Sequence, residues 1–100
     1  MKTILQIDFP FSGPFGEEMA QAMARLAQSI AEEPGLLWKI WTENADTNEA
    51  GGIYLFEDET RARRYLEKHS ARLESAGVTG IRSKVFAVNG PLTALDHGPV

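Results

Sequence analysis

Four short runs in which apolar residues alternate with others, separated by two stretches where they recur every three or four positions, leave this chain few folds to choose from. Residues 3 to 9, TILQIDF, put Leu5, Ile7 and Phe9 on one face and Ile4, Gln6 and Asp8 on the other, a strand with one dry side. PFSGPFGEE reads as a loop whose Ser12 or Gly13 caps a helix started by Pro14, with Glu17 and Glu18 where the helix dipole favours negative charge. Met19, Ala22, Met23, Leu26, Ala27 and Ile30 then follow a helical period that Pro34 ends. Strands over 36 to 43 and 50 to 57 flank NADTN, a turn by composition, and form a hairpin. Gly51 and Gly52 suggest a bulge or a close backbone approach at its return.

Asp58 is placed to cap a second helix over 59 to 76, with an inward stripe of Ala62, Tyr65, Leu66, His69, Leu73 and Ala76 and a stop at Gly77. GIRSKVFAVN, residues 80 to 89, supplies the fourth strand, and the tail from 90 to 100 has no periodicity and reads as irregular. One hundred residues with 43% apolar content suit a single domain over 1 to 100. The order is βαββαβ, an α+β ferredoxin-like fold with a four-stranded antiparallel sheet. Right-handed crossovers place both helices on one face, so the other face must meet water or a partner.

Parity assigns the strand residues to those faces. Leu5, Ile7, Phe9, Leu36, Trp38, Ile40, Ile53, Leu55, Ile81, Val85 and Ala87 form a nearly all-apolar set suited to lie under the helices. The opposite set holds Gln6, Asp8, Lys39, Trp41, Glu43, Tyr54, Phe56, Arg82, Lys84 and Phe86, large aromatics among charges of both signs. Such a patch marks an interface, and the expectation is a homodimer joined sheet to sheet through these residues.

Other classes find little support. A net charge of −4 argues against a nucleic-acid partner, and the basic residues Arg61, Arg63, Arg64, Lys68 and Arg72 read as a solvated helix face. There is no cysteine, no run long enough to cross a membrane and no signal-peptide pattern, so a cytoplasmic protein is expected. His69 and His97 stand without ligand spacing, so no metal site is assigned, and the glycines form no phosphate loop.

The blocks GPFG (13 to 16), EPGLLWKIWTE (33 to 43), EAGGIYLFED (49 to 58) and YLEKHSARL (65 to 73) together resemble the YdhR-like monooxygenases of the dimeric α+β barrel superfamily. The resemblance implies a dimer of ferredoxin-like subunits with a pocket in each, between sheet and helices. It also implies oxygenation of a small aromatic molecule, phenolic or quinol-like, without metal, flavin or haem, and hence no cofactor.

Such chemistry needs a flat electron-rich substrate, a dry pocket and a group that moves protons. His69 on the inward stripe fits by its ordinary pKa, although taken alone it reads as a histidine at the edge of the core. Trp38, on the set assigned to the helices, offers a stacking plane and an N–H donor, or simply fills the core. Tyr65 lies one turn before His69, and Phe15, Met19 and Met23 are placed to wall the pocket's mouth. Trp41 and Tyr54, assigned to the dimer face, are not expected at the site. A non-catalytic, stress-related dimer that binds a small apolar ligand or a protein partner is the alternative. Haem binding or breakdown ranks below both, because Gln6, Asp8 and Tyr54 stand where other residue types would be wanted.

Overall fold

The computed structural model describes residues 1–100. Its elements are β1 (Thr3–Pro10), α1 (Gly16–Ala31), β2 (Leu36–Asn44), β3 (Glu49–Phe56), α2 (Glu59–Ser75), β4 (Arg82–Ala87) and a short α3 (Gly90–Leu95). The four strands form one antiparallel sheet in the order β2-β3-β1-β4, so the two halves of the hairpin sit to one side of β1 and β4 closes the other. This is the βαββαβ ferredoxin-like order with one further turn of helix. The tail departs from its irregular expectation because Asn89 caps it: its side chain accepts from the Leu92 N–H at 3.1 Å, with Pro91 in the first turn. No helix is long and apolar enough to cross a membrane.

Register decides which side chains share a face, since residues directly opposite in an antiparallel ladder point the same way. Leu5 lies opposite Tyr54 and Val85, Ile7 opposite Gly52, and Thr3 opposite Phe56. Tyr54 and Phe56 therefore face the helices, where both are buried. This corrects their assignment to the dimer face. Both faces of β3 are apolar, so alternation alone could not choose between Ile53 with Leu55 and Tyr54 with Phe56.

In β2 the reversal has a covalent cause. Leu36 pairs with Phe56 but Trp38 pairs with Leu55, so Leu37 is an extra residue in a bulge. Leu36 stays inside while the phase flips after it, turning Trp38 and Ile40 outward and Lys39, Trp41 and Glu43 inward. Trp38, expected under the helices, instead donates its indole N–H to the Pro99 carbonyl at 2.7 Å, against the tail. Lys39, Trp41 and Glu43 likewise leave the predicted dimer face. Gln6, Asp8, Lys84 and Phe86 do lie on the outer face, together with Ile4, Trp38, Ile40, Ile53, Leu55 and Arg82. Arg82 pairs there with Asp8 and Glu49.

The predicted cap of α1 also moves. Phe15 occupies the cap position without a side-chain bond, and the first free N–H, of Gly16, donates to both carboxylate oxygens of Glu43 at 3.1 Å. A carboxylate at a helix N-terminus meets both the orphan donor and the dipole. Asp58 caps α2 as expected, accepting from the Arg61 N–H at 2.8 Å, and Gly77 ends it with a φ of +92°.

A candidate small-molecule cavity between sheet and helices

The space between the sheet and α1 with α2 is not filled. A cavity of about 270 Å³ opens there, lined by 16 residues, 11 of them hydrophobic. Its floor comes from Phe9 of β1, Lys39, Trp41 and Thr42 of β2, and Ala50, Gly51 and Tyr54 of β3. Met19, Met23 and Leu26 of α1 form one wall, and His69, Arg72 and Leu73 of α2 form another. Phe11, Ala76 and Val78 close the ends from the loops. The volume lies at the lower end of small-molecule pockets, and about 150 Å³ of apolar space already holds a benzene ring.

The aromatic groups form a packed series. The Tyr54 ring lies 5.0 Å from that of Tyr65, and Tyr65 stacks on His69 at 5.0 Å with 17° between planes. Tyr65 donates its hydroxyl to that of Tyr54 at 3.3 Å. Burial raises both phenols, Tyr65 to about 12, so neither ionises near neutral pH.

His69 is 3% exposed and borders the cavity. Its Nδ1 accepts from Arg72 Nε at 3.2 Å and lies 2.8 Å from Arg72 Nη2. A guanidinium can only donate, so Nδ1 carries no proton and the ring's hydrogen sits on Nε2. Burial, then the charges of Arg72 and Lys39, lower its pKa to about 4. The imidazole is therefore neutral at pH 7, where the sequence reading expected a group titrating near neutrality. It can donate from Nε2 but is a weak base.

Lys39 is the amine of the floor. Its Nζ lies 3.2 Å from the centre of the Trp41 ring and 4.8 Å from that of Tyr54. Its stem runs over Gly52, where an added Cβ would come within 2.7 Å of Lys39 Cε. The close approach suggested for the glycine pair is thus present, while the bulge lies in the partner strand.

Of the residues expected at the site, His69, Met19 and Met23 line the cavity and three do not. Trp38 faces the other side of the sheet. Tyr65 is fully buried behind Tyr54, and Phe15 stands behind Phe11, edge-on with ring centres 5.7 Å apart. Trp41 takes the place expected of Trp38: it is 37% exposed and also borders a shallower depression with Met19, Met23 and Glu43, marking the mouth between α1 and β2. Lys39, Arg72 and Tyr54 were missed. Arg72 had a signal, its three-residue spacing from His69 on one helix; Lys39 and Tyr54 had none without the register. No group of three or more histidine or carboxylate side chains is placed to hold a metal ion.

A family model described as "Putative mono-oxygenase ydhR" matches residues 4–99. Among solved structures, a mutant of SnoaB, a cofactor-independent oxygenase from Streptomyces nogalater, superposes with a TM-score of 0.62 at 20% identity, covering 88% of this chain and 93% of that one. A protein from Deinococcus radiodurans described as a "putative antibiotic biosynthesis monooxygenase" gives 0.63 at 14% identity over 87% and 92%. The Streptomyces coelicolor monooxygenase ActVA-Orf6, in complex with nanaomycin D, gives 0.59 at 20% identity over 87% of each chain. These likenesses show a shared fold. No curated protein matches the chain.

Proposed function

The chain belongs to the ydhR mono-oxygenase family, and from that membership we propose that it is a cofactor-independent monooxygenase acting on a small aromatic molecule of phenolic or quinol-like type. The observation that carries the reading is the cavity itself: ring-lined, largely apolar, with Lys39, His69 and Arg72 as its nitrogen-bearing side chains and Thr42 beside them. A flat substrate would lie against Trp41 and Tyr54, with Met19 and Met23 of α1 above it. His69 Nε2–H and the Arg72 guanidinium supply donors for a substrate oxygen and for the oxygen that dioxygen leaves reduced. The substrate provides the electrons: the ring CH₂ that the phenol carries in its keto tautomer becomes C=O as dioxygen gives one atom to the product and one to water. Two proteins of the same fold lend support, one a cofactor-independent oxygenase and one a monooxygenase with nanaomycin D bound.

The test is oxygen uptake with hydroquinones and anthrone-like compounds, read with mass spectrometry of the product. One oxygen atom from ¹⁸O₂ in the product supports the reading. Thermal stabilisation by the same compounds with no product would assign the cavity to a binding protein instead.

The same proposal includes a homodimer joined through the outer sheet face, where Ile40 is 53% and Phe86 47% exposed beside Ile4 and Ile53. Sedimentation should give twice the chain mass, and Phe86→Glu should give the single chain.

A further inference from the structure

The charges inside the cavity do not balance. Lys39 and Arg72 line it, and no aspartate or glutamate does. The chain's ion pairs use Arg61, Arg63, Lys68 and Arg82, leaving both cavity cations without a carboxylate. Arg72 gives two of its donors to a neutral imidazole, and Lys39 has only the faces of Trp41 and Tyr54. Every element around Lys39 agrees: α2 presents His69 and Arg72, β3 presents Tyr54, and β1 and α1 present nothing ionisable. Two unpaired cations in an apolar space are costly unless something negative joins them. Gly52 leaves β3 bare where the lysine stem crosses it, and the ammonium lies over the Trp41 ring at the cavity floor.

We propose that the cavity recognises its ligand as an acid and holds it as an anion, with Lys39 as the proton acceptor and Arg72 as the fixed positive charge. The substrate class is then an acidic phenol or enol, and this rests on the cavity being the ligand site of the reading above. In the step the ligand's O–H bond breaks, its electron pair stays on oxygen, and an N–H bond forms on the free amine of Lys39. Nothing is oxidised or reduced. The product is a phenolate beside an ammonium and a guanidinium, the electron-rich form of an aromatic that can then react with dioxygen. Burial, and next the charge of Arg72, bring Lys39 down to about 7, so much of it is free amine at neutral pH. Arg72 keeps its charge throughout.

The test uses para-nitrophenol, whose anion absorbs at longer wavelength than its phenol and whose ring resists oxidation, against para-nitroanisole, the same ring with the acidic proton replaced by a methyl group. One pH unit below the free probe's pKa, the bound probe should absorb as the phenolate. It should bind on the order of tenfold more tightly than the ether, the worth of one charge-assisted hydrogen bond. Lys39→Met should lose the phenolate band and the preference while melting at or above the wild-type temperature. A bound probe that stays protonated, a phenolate band kept by Lys39→Met, or no binding of nitrophenol at millimolar concentration would each overturn the proposal. Oxygen uptake plays no part in this readout. A protein that ionises the probe but oxygenates nothing would defeat the monooxygenase reading alone.

Discussion

Arg72 closes a fork on His69, with Nε 3.2 Å and Nη2 2.8 Å from the same imidazole nitrogen. Burial, then the charges of Arg72 and Lys39, hold the histidine neutral, with a pKa of about 4 against an ordinary 6.5. A depressed pKa means the unfolded chain binds the proton more readily. The stability tied to this group is therefore complete above about pH 6.5 and is lost as pH falls toward 4. Chemical denaturation of the wild type should show a loss of up to about 3 kcal/mol across that window beyond the general acid effect. His69→Gln, whose amide oxygen can still accept from Arg72, should lack that component. An identical slope in both proteins would show that the imidazole titrates normally.

The two tryptophans of β2 report on opposite sides of the sheet. Trp41 borders the cavity, while the Trp38 indole is bonded to the Pro99 carbonyl. An aromatic ligand should quench the emission of Trp41 alone. In Trp38→Phe the quenching should persist almost undiminished, and in Trp41→Phe it should vanish. Trp38→Phe should instead release the tail, read as faster amide exchange at residues 96–100, and lower stability by about 1 kcal/mol, the worth of one hydrogen bond.

Adjacent glycines in β3 should respond in contrasting ways to the same added methyl. At Gly51 a Cβ would run into the backbone of Ile7 and Asp8 in the neighbouring strand, which cannot yield without opening the ladder. Gly51→Ala should cost about 3 kcal/mol or prevent folding. At Gly52 the nearest atom is Lys39 Cε at 2.7 Å, the flexible end of a side chain. Gly52→Ala should fold, with stability within about 1 kcal/mol of wild type, but should bind phenolic ligands several-fold more weakly because the lysine is pushed from its seat. Thermal melts and ligand titrations of the two variants separate these outcomes.

The element order could be read from the sequence because apolar periodicity, Asp58 and Gly77 each act locally. The assignment of faces could not. A single extra residue, Leu37, inverts the phase of β2, and nothing in LLWKIWTE distinguishes a bulged strand from a regular one. β3 is apolar on both sides, so only its pairing with β1 shows that Tyr54 and Phe56 are the buried set. His69, Met19 and Met23 were legible as cavity residues because they lie on helices, where spacing fixes the inward stripe. Lys39 was hidden twice, by the inverted phase and by its type, since a lysine is seldom expected among aromatic rings under a helix. Glu43 was hidden because its role is to cap a helix distant in sequence.

That buried lysine leads to a prediction about stability that does not depend on any ligand. Its pKa is about 7 in the folded chain against an ordinary 10.5, with burial the larger cause and Arg72 the next. Below pH 7 the ammonium is charged in both states, and folding bears the full cost of dehydrating it. As pH rises from 7 toward 10.5 the folded chain has shed the proton while the unfolded chain still holds it, so wild-type stability rises through that window. Lys39→Met removes the charge and keeps the stem, filling the same groove over Gly52. It should therefore stabilise the protein most at pH 6 and progressively less toward pH 10, the two unfolding curves converging as the wild-type lysine loses its charge in both states. A constant difference across that range would mean that the ammonium reaches water and that its contact with Trp41 is a surface contact.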